Sequence, residues 1–299
     1  MSQDFIHLHS SNNQGLRSSM SGTLFVVATP IGNLEDLTPR ARQTLATVDL
    51  IAVEDTRHTG RLLSHFGVKT RLLALHDHNE NELAESVVDE LVQGKSIALV
   101  SDAGTPLVSD PGYRLVQAAH RRGIRVSPIP GASAVTAALS VAGLPTDRFC
   151  FEGFLPKKEK ARGDVLTGLT SESRTMIFYA SVHRIADCID SLVTAFGAGR
   201  PAFLGRELTK MYEQCVHATL GDLSEQVADG RIKGKGEFVI VVAGSQEQAS
   251  SSLDVDRLLV ELSDLLPGKE AARVVARATG EKRNSLYKRL LELTRSDSS

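Results

Sequence analysis

The 299-residue sequence predicts an α/β protein of two domains with a small helical domain at the end. Three observations carry that reading. Short β-rich runs alternate with helix-like stretches from Leu24 to Ile129; further strand candidates follow Arg148 with fewer helices between them; and three helix candidates close the chain after a Ser/Gln run. Strand–helix alternation at the first spacing predicts a mostly parallel sheet covered on both faces. The sparser second half suggests a mixed α+β sheet.

The elements are justified in order. Residues 1–21 are rich in Ser, Asn and Gln, lack the basic start and apolar stretch of a secretion signal, and have little apolar surface to bury. They are expected to be a disordered tail, with the nineteen residues before Met20 a dispensable extension. The first domain, 22–147, has strand candidates at Leu24–Thr29, Leu50–Glu54, Leu72–His76, Ile97–Asp102 and Ile124–Ile129, with helix-like stretches such as Pro39–Val48 and Asn81–Gln93. The second, 148–245, has strand candidates at Phe149–Leu155, Thr175–Tyr179, Ala202–Arg206, Gln214–Thr219 and Phe238–Val242. Ser245–Ser252 reads as a linker. In 253–295, Leu253–Leu266, Lys269–Thr279 and Arg283–Leu293 are broken by Pro267–Gly268 and Gly280. This basic tri-helix resembles a helix-turn-helix unit, which either touches nucleic acid or simply packs.

Composition narrows the function classes. Hydrophobic residues at 41% and charged residues at 23% suit a soluble globular protein with a real core. No apolar run approaches the roughly 20 residues of a membrane helix, so no membrane span is expected. Cys150, Cys188 and Cys215 have neither zinc nor redox spacing, and an odd count without a signal peptide argues for a reduced cytoplasm. They are expected to be buried small hydrophobes. A net charge of −2 gives no global nucleic-acid signal, so an RNA site would need a local basic patch or a dimer.

The familiar phosphate motifs are missing: no G-x-G-x-x-G follows the first strand and no G-x-x-x-x-G-K-[ST] occurs. The G-x-S-x-G elbow is also absent, which disfavours an α/β-hydrolase. Three other loops follow strand candidates, on the edge where parallel sheets bind ligands. Thr29-Pro30-Ile31-Gly32-Asn33-Leu34-Glu35-Asp36-Leu37 ends at Thr38, a good N-cap, with Pro39 in the first helical position. Ser101-Asp102-Ala103-Gly104-Thr105-Pro106 continues to Ser109-Asp110-Pro111-Gly112; its glycines let backbone approach a ligand and Asp102 supplies a fixed acceptor. Pro128-Ile129-Pro130-Gly131-Ala132-Ser133-Ala134 leads into a helix whose first N–H groups can hold an anionic group. Any one loop is ordinary in an α/β protein; all three in this order are specific.

Together these loops resemble the cofactor loops of the tetrapyrrole methylases, in the branch that acts on small-subunit ribosomal RNA. The matching stretches are A-T-P-I-G-N-L-E-D-L-T-P-R-A (28–41), V-E-D-T-R-H-T (53–59), A-L-H-D-H-N-E (74–80), L-V-S-D-A-G-T-P-L-V-S-D-P-G (99–112), P-I-P-G-A-S-A (128–134), E-G-F-L-P (152–156), R-E-L-T-K (206–210) and K-G-E-F-V (235–239). The resemblance covers roughly residues 22–295. It implies a bilobal class III methyltransferase with S-adenosylmethionine in the interdomain cleft. The implied substrate is the ribose 2′-hydroxyl of a decoding-region cytidine in 16S rRNA, met within the small ribosomal subunit, and the implied assembly is a homodimer. It further implies cofactor contacts from Pro30, Asp102, Ala103, Gly104, Thr105, Gly131, Ala132, Ser133 and Ala134, with Tyr179, Leu208 and Gly236 closing from the second domain. Tyr179 and Leu208 have a plainer reading as core.

Methyl transfer from a sulfonium demands in-line placement, and a ribose hydroxyl is a weak acid that benefits from a base or a cationic neighbour. Glu54-Asp55-Thr56-Arg57-His58-Thr59 and His76-Asp77-His78-Asn79-Glu80 both follow strand candidates on the ligand edge. Asp55, Arg57, His76, His78 and Glu80 are therefore the candidate catalytic residues. The alternative is helix capping by Asp55 and Asn79. His76-Asp77-His78 has no partner run for a metal, and no metal is expected. Lys157, Lys158, Lys160 and Arg162 either hold RNA phosphates or form a solvated loop. One departure stands out: the family pattern F-Y-E-S-x-H-R is here Phe178-Tyr179-Ala180-Ser181-Val182-His183-Arg184, which removes a carboxylate. The competing functions are tetrapyrrole C-methylation and a non-catalytic RNA-binding factor.

Overall fold

The structure is a computed structural model and describes residues 22–76, 79–245 and 255–296. The expected tail at 1–21, nearly all of the expected linker, and His78 lie outside the described residues.

The first sheet has five strands: β1 (Thr23–Val27), β2 (Leu50–Val53), β3 (Leu72–Ala74), β4 (Ile97–Val100) and β5 (Arg125–Ile129), in the order β3-β2-β4-β1-β5. Every pairing is parallel, as the alternation predicts. Helices α1 (Pro39–Thr47) and α2 (Thr56–His65) cover one face, while α3 (Glu80–Val92) and α4 (Tyr113–Arg121) cover the other. Because both faces are buried, β2 and β4 are apolar at every position: in β2, Leu50 and Ala52 join one core and Ile51 and Val53 the other. The α1 start follows its sequence signal, since Thr38 Oγ1 accepts from Ala41 N–H at 3.1 Å with Pro39 behind it.

After α5 (Ala134–Val141) the chain enters a second sheet of β6 (Phe149–Phe154), β7 (Thr175–Ala180), β8 (Pro201–Arg206), β9 (Gln214–Thr219) and β10 (Phe238–Val242). Its order is β6-β7-β10-β8-β9, with only β6 and β7 parallel, so it is the mixed sheet expected. Helices α6 (Glu159–Gly168), α7 (Ile185–Phe196) and α8 (Leu220–Ala228) bury one face. The other face packs against α5 and the loops of the first sheet: Ile177, Phe203, Val239 and Val241 share a core with Ile31, Val135, Ala138 and Leu139. That shared core fixes the two sheets against each other.

Helices α9 (Val255–Ser263), α10 (Gly268–Thr279) and α11 (Arg283–Ser296) form a separate small core around Leu259, Ala271, Val275, Leu286 and Leu290. Gly280 ends α10 in the left-handed conformation at φ 76°. No helix among the described residues is long and apolar enough to cross a membrane. The cysteines differ from expectation: Cys188 is buried, but Cys150 is only half-buried and Cys215 is exposed, because β9 is an edge strand with alternate residues facing solvent.

Candidate functional site

The three sequence-selected loops interlock beyond the carboxyl ends of the first sheet. Thr29 and Gly104 exchange backbone bonds, N–H to O, at 2.9 and 3.1 Å. The Thr105 hydroxyl donates to the Ala132 carbonyl at 3.0 Å, joining the second loop to the third. Asp55 N–H donates to Asp102 Oδ1 at 3.1 Å, which holds that carboxylate in place. A side chain at Gly131 would press on Ala28, its Cβ only 3.0 Å from that residue's own. The second loop carries two non-glycine residues in the left-handed region, Leu107 at φ 72° and Ser109 at φ 66°, a conformation that persists only where surroundings enforce it.

The second lobe meets these loops directly. A Cβ on Gly32 would overlap the Lys210 side chain and stand 2.9 Å from Thr209 Oγ1, so the first loop lies flat on the R-E-L-T-K loop. That loop is tied inward: Lys210 Nζ donates to Glu207 Oε1 at 2.9 Å and to Glu237 Oε2 at 2.8 Å. Burial pushes the Glu207 carboxyl up, yet the Glu237 N–H and the Lys210 ammonium together bring it below its ordinary range.

Between the lobes lies a cavity of about 420 Å³, a size typical of small-molecule sites. Ile31, Glu54, Asp102–Thr105, Val108–Asp110, Ser133 and Ala134 wall it from the first lobe. Phe154, Tyr179–Ser181, Gly205, Leu208 and Glu237–Val239 wall it from the second. The wall contributes four carboxylates, of which Glu237 is paired with Lys210 while Glu54, Asp102 and Asp110 complete the set, and no lysine, arginine or histidine lines it. Such a lining attracts a cation and repels a polyanion. Tyr179 is held as a neutral phenol, its pKa pushed up to about 12 by burial and then by Asp110 and Glu237.

Of the residues selected for cofactor contact, Asp102, Ala103, Gly104, Thr105, Ser133, Ala134, Tyr179 and Leu208 line this cavity. Pro30, Gly131, Ala132 and Gly236 are not in the wall, although they lie within two residues of the lining residues Ile31, Ser133 and Glu237 in the chain. Gly236 has its own structural reason: φ is 99°, and a Cβ there would lie 2.5 Å from Glu207 Cγ. Leu208 serves both readings, being part of the shared core and of the wall.

The candidate catalytic residues are placed differently. Asp55 is the N-cap of α2, accepting from Arg57 N–H at 2.7 Å and from the Arg57 guanidinium at 3.1 Å. Those bonds lower its pKa to about 2. Asp55 and Arg57 stay outside the wall, and their neighbour Glu54 reaches it instead. Glu80 is 4% exposed and accepts from the Arg114 and Leu115 N–H groups at 2.7 and 3.1 Å, capping α4. His76 does not line the cavity; its N–H donates to Asn79 Oδ1 at 2.8 Å. Asn79 does not cap α3 with its side chain, and instead ties the preceding loop through Ala74 O as well. Arg162, grouped with the RNA-facing lysines, is 7% exposed and bonded to Ser191 Oγ and the Pro156 and Lys157 carbonyls, so it is structural. No group of residues suited to a metal ion occurs among the described residues.

Sequence reasoning missed Glu54, Ser109, Asp110, Phe154, Gly205 and Glu237 as wall residues. The motifs S-D-P-G and E-G-F-L-P contain three of them and were the available signal. Glu237 sits in the quoted K-G-E-F-V stretch beside the selected Gly236, whereas Gly205 has no local signal, because its placement depends on how β8 and β10 pair.

Comparison with known proteins agrees with this architecture. The model of the Tetrapyrrole (Corrin/Porphyrin) Methylases matches residues 23–224, and that of the RsmI C-terminal HTH domain matches residues 249–294. The chain is 54% identical to the ribosomal RNA small subunit methyltransferase I of Xylella fastidiosa (strain Temecula1 / ATCC 700964), over 90% of this chain and 99% of that protein. It is 50% identical to the protein of the same name from Escherichia coli O157:H7, over 91% of this chain and 95% of that one. Among solved structures, the methyltransferase CobJ matches at a TM-score of 0.56 with 20% identity, covering 75% of this chain and 95% of that one. Uroporphyrin-III-C-methyltransferase from Thermus thermophilus matches at 0.53 with 19% identity, covering 74% and 94%, a likeness of fold alone. By model match over most of its length and by identity across nine-tenths of it, the chain belongs to the ribosomal RNA small subunit methyltransferase I family of tetrapyrrole methylases.

Proposed function

We propose that the chain methylates the ribose 2′-hydroxyl of a decoding-region cytidine in 16S rRNA, using S-adenosylmethionine, as a cytoplasmic homodimer acting on the small ribosomal subunit. The observation that carries this is the interlobe cavity, whose wall is carboxylate-rich and free of cationic side chains. S-adenosylmethionine carries a sulfonium and an ammonium, and the residues present fit it. Asp102 offers a carboxylate fixed by Asp55 N–H, and Gly104 and Gly205 let the wall residues Ile31 and Leu208 pack close over the backbone, where a Cβ would stand 3.2 and 2.9 Å from their side chains. Leu208, Val239 and Tyr179 supply the apolar remainder.

The bound cofactor would supply an electrophilic methyl group; the chain supplies position and charge. The interlocked loops hold the wall rigid, which suits a reaction whose rate depends on alignment. Asp55, with a pKa near 2, is too weak a base to help a ribose hydroxyl near neutral pH. Glu54 is the member of that cluster in the wall, and we assign it the task of accepting from or orienting the hydroxyl.

RNA phosphates would stay outside this acidic interior. The helical unit is suited to meet them: residues 255–296 carry nine lysines and arginines against six acidic residues, whereas the whole chain is at −2. Lys282, Arg283 and Lys288 are exposed around the Gly280 turn and the start of α11. Tetrapyrrole C-methylation fits less well, since its polycarboxylate substrate would face four wall carboxylates. Ala180 supports the non-catalytic alternative, because it lines the cavity where the family pattern places a carboxylate.

The test is incubation of the protein and labelled S-adenosylmethionine with small subunits lacking this modification, followed by mass-spectrometric mapping. A new 2′-O-methyl on the decoding-region cytidine is expected. Cofactor binding without any methyl on RNA would overturn the activity and make Ala180→Glu the next variant.

A further inference from the structure

We propose that Phe154 is a stacking subsite for an unstacked RNA nucleobase at the mouth of the cavity, an inference that rests on the RNA reading above. Phe154 is 58% exposed although it lines the cavity, while its neighbours Gly153 and Leu155 are buried. The exposure is built by the backbone. The β6–β7 register shifts between Phe151 and Gly153, and Gly153 takes φ 64°, so the strand is re-aimed just before Phe154. A Cβ on Gly153 would lie 3.3 Å from Ser109 Oγ, which sets this bulge against the strained second loop.

The ring is the outermost of three. Phe151 and Phe154 each meet Tyr179 edge-to-face, at centroid distances of 4.9 and 5.4 Å. Tyr179 thus supports Phe154 from one side and leaves most of its surface to solvent. The segment behind it is held firmly: Arg184 Nη1 donates to Leu155 O at 2.9 Å and Nη2 to Pro156 O at 2.7 Å. The buried Arg162 adds bonds to the Pro156 and Lys157 carbonyls. A large apolar ring displayed on so rigid a segment is preorganised to meet a flat partner.

A nucleotide that delivers its ribose to an enclosed site must leave the base stack, and aromatic side chains commonly receive the extruded base. Lys157, Lys158 and Lys160 are exposed shortly after Phe154 in the chain, and none of them lines the acid-walled cavity. Backbone phosphates would be drawn to the lysines and kept from the interior, leaving the base beside the Phe154 ring.

The experiment compares wild type, Phe154→Ala and Phe154→Tyr in the full chain. Methyl transfer to unmodified small subunits, S-adenosylmethionine affinity by calorimetry, and quenching of a 2-aminopurine base in a short single-stranded RNA are measured on each. Phe154→Ala is expected to lower kcat/KM for the subunit roughly tenfold to a hundredfold and abolish the quenching, with cofactor affinity within about twofold and Tyr restoring most of both. Equal kcat/KM and equal quenching in wild type and Phe154→Ala would overturn the subsite. A matching loss of cofactor affinity would overturn it too, by assigning the ring to the cofactor's adenine. Quenching by wild type without methyl transfer would sustain the subsite and sink the proposed activity instead.

Discussion

Glu80 is where a catalytic and a structural role can be separated by measurement. Helix α4 begins after Gly112, which has no side chain to cap it, and its second and third N–H groups, from Arg114 and Leu115, turn to the Glu80 carboxylate of α3. Replacing Glu80 with Ala leaves the buried Leu115 N–H and the partly buried Arg114 N–H without that acceptor. A hydrogen bond to a charged group contributes roughly 1.5–3 kcal/mol, so losing two, with some relaxation, costs about 3 kcal/mol. For a unit of this size that is a fall in Tm of about 6–12 °C. Glu80→Gln keeps an oxygen acceptor and loses the charge at the helix N-terminus, and should cost about 1 kcal/mol. Thermal melts followed by circular dichroism read the stability; methyl transfer well below the melting temperature reads the chemistry per folded molecule. The expectation is a large drop in Tm with turnover within about twofold of wild type. Unchanged melting with collapsed turnover would refute the structural assignment and return Glu80 to the substrate.

Other expectations follow from the same geometry. Glu54→Gln should lower kcat at least about tenfold while calorimetry shows cofactor affinity nearly unchanged; a kcat equal to wild type would remove Glu54 from the reaction. Gly32→Val forces the first loop off Lys210 and Thr209, an overpacking that should weaken cofactor binding roughly tenfold, and wild-type affinity would contradict the close lobe contact. The Asp55 carboxyl is depressed in the folded state, so its contribution to stability is complete above its unfolded pKa of about 3.9 and fades as pH falls toward 2. The Tm gap between wild type and Asp55→Ala should therefore be full at pH 7 and narrow below pH 4; a gap constant down to pH 2 would refute the pairing with Arg57. Reversing Lys282 and Arg283 to Glu should weaken subunit binding at low salt and flatten its salt dependence, and an unaltered slope would place RNA elsewhere.

Much of this protein was legible locally. The parallel first sheet follows from alternating apolar runs and helices, and the α1 start from Thr38 and Pro39, because those signals act over a few residues. The three Gly/Pro loops announced a ligand edge for the same reason, since only particular residues tolerate their backbone. What the sequence by itself determined was thus the element order, the loops and the family likeness. Only the tertiary structure decided which neighbour in each loop faces the cavity: Glu54 rather than Asp55, with Glu80 and Arg162 turned to backbone groups. It also placed Gly205 and Glu237 in the wall through strand pairing and packed α5 onto the second sheet. The physical reason is that a buried donor must find an acceptor wherever the fold brings one within about 3 Å, and that meeting is fixed by packing between residues far apart in the chain.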